Sequence, residues 1–436
     1  MSAESSGTLA RVVGVPGAVL MGLGSMLGTG IFVSVGIAAG AAGPWVVLAV
    51  IVAAAVAAFN GLSSAELAAS HPVSGGTYEY GYRYLNPTLG FVAGWMFLGA
   101  KSASAATAAL GFAGYVLNAF GTPGTVSRVA LALAAVAFST AVVAGGLRRS
   151  NRVNAAIVSL TLLALLAFVA GGLAPALEGA GKHLSESFGA AGSGLQGLLE
   201  ASALMFVAYT GYGRIATLGE EIQDPKRNIP KAIVATLLAT MIVYAAVAFV
   251  AVASVGAAEL ADVTRAGAAP LETIARRFGV PGLSWIVAAG AVTAMLGVLL
   301  NLLLGLSRVL LAMARRADMP RGLARLDGEP ASPRRAVFVV GAIIAALAVT
   351  GSVKTTWSFS AFTVLVYYAL TNLAAMRLPR ESKLYPRWVA SAGLMCCLGL
   401  AFWVEPAVWI AGLLLIAAGV AWHRVARAWA RRSKRA

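Results

Sequence analysis

The feature that most constrains this chain is a succession of long apolar runs, spread from its beginning to its end. Of the 436 residues, 59% are hydrophobic and only 11% are charged, and the mean hydropathy is +0.82. A soluble domain of this length would carry more charge. Inside a bilayer the backbone must satisfy its own hydrogen bonds, so repeated apolar runs without strand-like alternation predict an all-α membrane protein.

The apolar runs divide into about 12 predicted transmembrane helices, joined by loops too small to form domains of their own. The predicted spans are 15–39, 44–68, 87–120, 127–146, 153–173, 195–219, 231–256, 282–314, 335–352, 357–376, 388–404 and 406–423. We therefore expect a cytoplasmic N-terminal segment (1–14), a single transmembrane transport domain (15–423) and a basic cytoplasmic tail (424–436).

The placement of basic residues predicts the orientation of these spans. Of the 33 Lys and Arg residues, 24 fall on the side of the N-terminus and six fall on the loops of the opposite side. Basic loops face the cytoplasm, so both termini are predicted to be cytoplasmic, in a multi-pass protein of the cell membrane. This rule accounts for the net charge of +16 without a nucleic-acid partner.

Two predicted spans, the first and the sixth, are interrupted by glycines near their middles. They contain GLGSMLGTGIF (22–32) and FVAYTGYGRIATLGEE (206–221). Glycine weakens a continuous helix, and the two spans should run in opposite directions. Interrupted helices at matching positions of two inverted halves indicate a midplane binding site in secondary transporters. The alternative is that Gly24 and Gly28 form a GxxxG packing face.

A broken helix exposes main-chain groups that bind charged ligands. Amide groups at the first break would hold a carboxylate, and carbonyl groups at the second break would accept hydrogen bonds from an ammonium group. The predicted substrate-binding residues are Ser25, Met26, Gly28, Thr29 and Gly30 on the first span and Phe206, Val207, Ala208 and Thr210 on the sixth. A zwitterionic amino acid would be matched at both ends.

Four motifs carry a resemblance to a known family: GSMLGTGIF (24–32), AELAASHPVSGGTYEYGYRYL (65–85), FVAYTGYGRIATLGEEIQDPKRNIPKAI (206–233) and SRVLLAMARRADMP (307–320). In this order they resemble the amino acid–polyamine–organocation (APC) superfamily, nearest to its bacterial cationic-amino-acid-transporter-like permeases.

The resemblance implies a LeuT-like fold with a 5+5 inverted repeat, discontinuous helices 1 and 6, and transport by alternating access. Repeat one would span about 15–173 and repeat two about 195–376, followed by extra helices at about 388–423. It also implies that the Gly28 to Gly30 break binds the substrate carboxylate and that an aromatic residue, for which we favour Phe206, covers the bound substrate. The alternative is that Phe206, Tyr209 and Tyr212 are ordinary core aromatics.

A second group of residues is predicted to act in coupling or gating. Many proton-coupled relatives carry a lysine in the middle of helix five, where this chain has Thr161. Lys101, by contrast, lies fourteen residues beyond Pro87 on the third span, or roughly 21 Å along a helix. A lysine near the bilayer centre costs on the order of 3 kcal/mol, so it is predicted to be functional. We hypothesise that Lys101 replaces the missing lysine; the alternative is a lysine that lines a watery vestibule or snorkels.

Charged residues at the cytoplasmic helix ends are the other candidates for gating. They are Glu66, Arg83, Glu220 and Glu221, and they would either close an inner gate or be solvated helix ends. Arg214, in the second half of the sixth span, would aim at the substrate or pair with a helix end. With Lys101 it makes the centre positive, so neutral amino acids are favoured over cationic amino acids or polyamines, and an acidic substrate stays open.

Other functional classes fit the sequence less well. An enzyme is disfavoured because His71, His183 and His423 are expected in loops and tail, without metal-ligand spacing, and no cofactor or metal is expected. A transporter-like nutrient receptor or channel remains an alternative. A disulfide-linked heavy chain is not expected, because the loop from Gly121 to Ser127 has no cysteine. Coupling by protons, coupling by sodium and exchange stay open.

Overall fold

The computed structural model describes residues 13–71, 75–122, 124–146, 151–190, 194–216, 222–327 and 332–432. Apart from two isolated β-bridges, the regular secondary structure of these residues is helical. The α-helices are α1 (Val15–Met26), α2 (Val35–Ala42), α3 (Val46–Ser70), α4 (Thr77–Tyr80), α5 (Pro87–Ala119), α6 (Thr125–Ala144), α7 (Asn151–Ala190), α8 (Gly194–Tyr209), α9 (Gly213–Ala216), α10 (Pro225–Val255), α11 (Ala257–Gly267), α12 (Pro270–Arg277), α13 (Leu283–Arg315), α14 (Arg334–Ala348), α15 (Val353–Met376), α16 (Arg387–Ala401) and α17 (Pro406–Arg432).

Seven helical stretches among the described residues are long and apolar enough to cross a membrane. They are Gly30–Ser70, Thr125–Ala144, Arg152–Leu184, Pro225–Val255, Leu283–Arg315, Val353–Met376 and Pro406–Ala428. Two shorter apolar helices, Val15–Met26 and Arg387–Ala401, accompany them. This set supports a multi-pass membrane protein. A helix or a pair of helices lies in each of the twelve predicted ranges, but the count of twelve spans stays a prediction.

The centre of the protein is built on the long helices α5 and α10. Helix α5 packs against α13 and α15, and α10 packs against α3 and α7. Hydroxyl pairs join α5 to α15: Ser104 to Ser360 and Thr107 to Thr356, both at 2.7 Å. These buried hydroxyls satisfy each other, which avoids the cost of unpaired polar groups in an apolar interior.

The two interrupted segments lie side by side and run in opposite directions. Helix α1 contacts α9, whereas α2, which continues the first segment, contacts α8, which begins the second. The backbone at Val13, before α1, also pairs with the chain beyond α9, where the Gln223 N–H donates to the Val13 carbonyl at 3.0 Å. This antiparallel arrangement agrees with the directions predicted for the first and sixth spans, while the full inverted repeat stays a prediction.

The ends of the helices define two faces of the molecule. The basic face contains Val13, the α3–α5 and α13–α14 connections and the end of α17, where Trp422 Nε1 donates to the Asp318 carbonyl at 2.9 Å. The opposite face contains the turns between α5 and α6 and between α14 and α15. There Arg128 Nη2 donates to the Gly351 carbonyl at 3.1 Å.

The structure contains more helix than the hydrophobic pattern predicted. Helix α7 continues past Gly172 as far as Ala190, and α11 and α12 occupy the connection predicted as a loop between the seventh and eighth spans. His183 therefore lies in α7, and His423 lies in α17 rather than in a tail. These predictions were wrong because they relied on apolar composition, which ends at the membrane, whereas helical hydrogen bonding continues beyond it.

Candidate functional site

The first interruption begins where α1 ends, at Met26. Leu27 adopts an extended conformation (φ −73°, ψ 97°). Helical hydrogen bonding resumes at Ile31 and Phe32, whose N–H groups donate to the Gly28 carbonyl at 3.1 and 3.2 Å. The first segment is therefore two helices joined by a short non-helical link.

The side chains at this link differ in their partners. The Ser25 hydroxyl donates to the Met21 carbonyl at 3.1 Å and so is used within α1. Thr29 is 3% exposed, and its hydroxyl has no hydrogen-bond partner among the described residues. Because a buried hydroxyl without a partner costs free energy, Thr29 is a candidate ligand-binding group.

The second interruption is a tightening of the helix rather than a gap. Helix α8 ends at Tyr209, a single 3₁₀ turn covers Thr210–Tyr212, and α9 begins at Gly213. The Thr210 hydroxyl donates to the Val207 carbonyl at 2.7 Å. A side chain thus bonds a carbonyl at the change in helical winding.

The two interruptions touch through glycines. A Cβ atom added to Gly30 would lie 2.5 Å from the Cβ of Ala208, and one added to Gly211 would lie 2.6 Å from the carbonyl carbon of Ser25. Such distances exclude any side chain at either position without a shift of the neighbouring helix. These glycines therefore allow close approach of the two segments, as small residues do between membrane helices.

A tyrosine of α10 connects the two interruptions. The Tyr244 hydroxyl donates to the Met26 carbonyl at 2.5 Å, and the Ala208 carbonyl lies 3.4 Å from the same oxygen. The hydroxyl carries one hydrogen, so the shorter contact to Met26 is the principal bond. The sequence analysis missed Tyr244. The available signal was a tyrosine within an apolar helix, where its hydroxyl needs a partner.

The carbonyl groups predicted to bind an ammonium group already have hydroxyl neighbours. The Val207 carbonyl accepts from Thr210, the Ala208 carbonyl lies near Tyr244, and the Thr210 carbonyl accepts from the Tyr368 hydroxyl at 3.3 Å. Each carbonyl oxygen has a second lone pair. An ammonium group would therefore add to these bonds or replace them.

Lys101 lies beside the second interruption. Its Nζ donates to the Thr210 hydroxyl oxygen at 2.7 Å, and the same hydroxyl donates onward to Val207. Thr161 is fully buried, and its hydroxyl donates to the Ile157 carbonyl within α7 at 2.7 Å. The structure thus brings Lys101 to the predicted site, whereas the Thr161 side chain bonds its own helix.

Aromatic rings surround the second interruption. Phe206 is fully buried, with its ring edge-on to Tyr368 at a centroid distance of 5.6 Å. Tyr209 lies against Tyr244 at 5.3 Å, and Tyr212 lies against Tyr368 at 5.4 Å. The Tyr209 hydroxyl is buried without a partner among the described residues. Phe206 thus contacts Tyr368, whose hydroxyl bonds the Thr210 carbonyl at the second break.

Two of the predicted gating charges lie apart. The buried Glu66 accepts hydrogen bonds from the Leu384 and Tyr385 N–H groups at 3.1 and 2.9 Å. Arg83 is exposed, with its guanidinium 5.7 Å from the centroid of the Tyr84 ring. No ion pair joins Glu66 to Arg83, both of which are described. Glu66 thus fastens the connection between α15 and α16 to the end of α3.

Of the other predicted gating charges, the structure describes only Arg214. Arg214 lies in the short helix α9 and is exposed. Glu220 and Glu221 lie outside the described residues. The hypothesis of a closing network built from these acids therefore stays a prediction.

The basic face contains a different cluster, centred on Asp318. Its side-chain carboxyl accepts hydrogen bonds from Tyr78 at 2.7 Å and Tyr82 at 2.5 Å, and it lies 3.2 Å from His423 Nδ1. Asp318 is 3% exposed. This cluster ties the α3–α5 connection to the end of α13 and to α17. Sequence reasoning quoted the motif that holds Asp318 but gave this residue no role.

Arg316 completes this cluster from its exposed side. Its guanidinium pairs with Glu79 and lies 4.5 Å from the centroid of the Tyr82 ring. Burial raises the pKa of the Tyr78 and Tyr82 hydroxyls, and hydrogen bonding to Asp318 raises the pKa of both further. Both tyrosines therefore stay protonated and donate to Asp318 at physiological pH.

Within the described ranges, no group of three or more His, Cys, Asp or Glu side chains is placed to hold a metal ion. The polar groups at the interruptions are instead main-chain carbonyls, hydroxyls and one ammonium group.

Comparison with known proteins identifies the family of this chain. The family model described as "Amino acid permease" matches residues 17–428. The chain belongs to the amino acid permease family. This permease is therefore a transporter of the APC superfamily, not an enzyme, and its family implies a small-molecule amino acid substrate and a membrane location.

Individual relatives support the same family. The permease is 42% identical to an uncharacterised transporter of Mycobacterium tuberculosis over 426 residues, 98% of this chain and 93% of the relative. It is 29% identical to a branched-chain amino acid permease of Bacillus subtilis over 411 residues, 90% of this chain and 86% of the relative. It is 27% identical to a vacuolar cationic amino acid transporter of Arabidopsis thaliana over 360 residues, 78% of this chain and 58% of the relative.

Proposed function

We propose that this permease moves neutral amino acids across the cell membrane as a secondary active transporter, by alternating access. The observation that carries the proposal is the contact between the two interrupted segments, where Gly30 meets Ala208 and Tyr244 bonds the Met26 carbonyl. Transporters with paired broken helices bind substrate at such a junction. Membership of the amino acid permease family supplies the substrate class.

The substrate is proposed to bind across the junction. The amide groups of Gly28 to Gly30 and the Thr29 hydroxyl would bind the carboxylate, with Ser25 and Met26 beside them, and the carbonyls of Val207, Ala208 and Thr210 would bind the ammonium group. Phe206 would cover the substrate. Thr29 supports this assignment because its buried hydroxyl has no partner among the described residues.

The preference for neutral side chains rests on charge. Lys101 is a cation at the junction, where it donates to Thr210, and no acidic side chain bonds any of the predicted binding residues in the described part of the chain. A cationic side chain would be repelled there. The similarity to a branched-chain amino acid permease agrees with this preference, while the similarity to a cationic amino acid transporter keeps arginine, lysine and polyamines as the alternative.

Lys101 is proposed to couple transport to protons. In its charged state it donates a charge-assisted hydrogen bond to Thr210 at the second break, and loss of its proton would weaken that bond. Exchange of substrates without proton movement is the alternative. Both termini are proposed to be cytoplasmic, because the basic face then lies on the inside.

One experiment tests the function and the coupling together. The purified full-length protein is reconstituted into vesicles, and uptake of radiolabelled leucine and arginine is measured with proton and sodium gradients varied independently. The proposal expects leucine uptake that an inward proton gradient stimulates. Uptake of arginine alone would overturn the substrate class. Saturable binding without uptake or counterflow would instead indicate a receptor, and uptake without stimulated exchange would indicate a channel.

A further inference from the structure

A cavity of about 360 Å³ lies on the face opposite the basic face. Its walls come from α2, the beginning of α6, α11 and the turn before α15. None of the predicted substrate-binding residues at the two interruptions lines it. Cavities that hold small organic ligands begin at roughly this volume, so it is large enough for more than a single ion.

Arg128, at the beginning of α6, is a buried cation in the cavity wall. It is 7% exposed, and its Nη1 and Nη2 atoms donate to the Ala266 and Gly351 carbonyls at 2.9 and 3.1 Å. Its Nε has no hydrogen-bond partner, and no carboxylate pairs with Arg128 among the described residues. A buried guanidinium with an unused donor and no counterion favours an anionic ligand.

Two further cations line the same cavity. Arg265 pairs with Asp262 at 2.9 Å, and Lys354 pairs with Glu405. All four of these side chains are exposed, and exposed ion pairs are weak. Both basic side chains can therefore reorient toward an anion with little loss of ion-pair free energy. Arg128 is the buried cation of the three.

Two of the helices around the cavity, α6 and α15, add positive potential at their N-terminal ends. Thr125 is the first residue of α6, and Ser352, Val353 and Lys354 form the start of α15; all four line the cavity. The N-terminal ends of these two long helices carry partial positive charge and favour anions. The carbonyl groups of Ala266 and Gly351 are covered by Arg128.

We propose that this cavity is a second binding site, separate from the two interruptions, for a small organic molecule that carries a carboxylate group. Arg128 binds the carboxylate with its guanidinium group, and Lys354 and Arg265 contribute from the rim. The site goes beyond the proposed function, since it needs neither transport nor coupling. An amino acid and a simple carboxylic acid both carry the required group.

The test is thermal unfolding of the purified full-length protein, titrated with sodium propionate. Sodium chloride at equal ionic strength and neutral propionamide are the matched probes, and leucine is titrated in a separate arm. We expect a saturable rise in the unfolding temperature with propionate and none with propionamide, because a ligand of the folded state stabilises it. If leucine binds in the cavity as well as at the interruptions, the rise in unfolding temperature that it causes should be smaller, but not absent, in variants whose cavity is blocked.

Two variants block the cavity by different means. Arg128→Gln removes the buried charge. Thr350→Trp fills the cavity from an exposed position in its wall. Because Thr350 is exposed, this second variant should fold even if Arg128→Gln does not. Arg277→Gln removes an exposed charge on the same face outside the cavity, and Lys101→Met alters the interruptions. The propionate effect should disappear in the two cavity variants and persist in the two controls. A propionate response no larger than that of chloride, its persistence in Thr350→Trp, or its loss in Lys101→Met would each overturn the proposal.

Discussion

Lys101 donates a hydrogen bond from Nζ to the Thr210 hydroxyl oxygen, 2.7 Å away. Thr210 passes this bond on to the Val207 carbonyl at 2.7 Å. A charge on α5 is therefore linked through one hydroxyl to a carbonyl at the second helix interruption. This link connects the protonation state of one side chain to the backbone that is proposed to bind substrate.

Replacement of Lys101 by methionine should abolish the response of leucine uptake to a proton gradient. Methionine keeps much of the length of the side chain but has neither the charge nor the donor for Thr210. Leucine uptake by the variant is measured in vesicles with and without an inward proton gradient. We expect both values to equal the uptake of the unmodified protein without a gradient. Lys226→Met, an exposed lysine at the beginning of α10, is the control and should keep the response. An unchanged gradient response in Lys101→Met would remove Lys101 from the coupling mechanism.

Tyr244→Phe should reduce uptake far more than it reduces stability. The change removes the hydroxyl that bonds the Met26 carbonyl, at a cost of about 1 kcal/mol in the free energy of unfolding. Tyr115→Phe is a matched control, because the Tyr115 hydroxyl also donates to a carbonyl of the first segment, that of Phe32, at 2.8 Å. Uptake and denaturant unfolding are measured for both. Equal losses of uptake in the two variants would show that Tyr244 has no special role at the interruptions.

The sequence predicted those features that depend on composition and on single residues. The apolar runs located the helices, the glycines around Gly28 and Gly211 located the interruptions, and the depth of Lys101 along its helix indicated a central position. Each of these follows from local chemistry, since a glycine or a lysine within an apolar run is unusual wherever the helix packs.

The features that were missed depend on the packing of distant segments. Glu66 accepts hydrogen bonds from the backbone of Leu384 and Tyr385. Asp318 accepts hydrogen bonds from Tyr78 and Tyr82, which lie more than two hundred residues earlier in the chain. No local pattern shows which acid meets which donor. A single sequence therefore identified Glu66 but not its partners, and it gave no role to Asp318.

Gly30→Ala should block uptake, and Ala208→Gly should restore it in the double variant. The added Cβ would lie 2.5 Å from the Cβ of Ala208, and such overpacking costs about 1–3 kcal/mol. Removing the opposing methyl group relieves this contact. Uptake of leucine is measured for both single variants and for the pair. If the double variant stays as inactive as Gly30→Ala, the loss does not arise from contact with the Ala208 methyl group.

The Asp318 cluster should hold the basic face closed. Tyr78→Phe and Tyr82→Phe each remove one hydrogen bond to the Asp318 carboxyl, worth roughly 1–3 kcal/mol, and Asp318→Asn weakens both.

We expect Asp318→Asn to increase the cleavage of the α3–α5 connection by a protease added to the basic face of reconstituted vesicles. Saturating leucine should not fully reverse this increase. A double-mutant cycle on the unfolding free energy would show coupling between Asp318→Asn and Tyr82→Phe, because the two residues share one bond. Strictly additive effects, together with unchanged cleavage, would mean that the side chains of the cluster act independently at the helix ends. The cluster would then not restrain the α3–α5 connection.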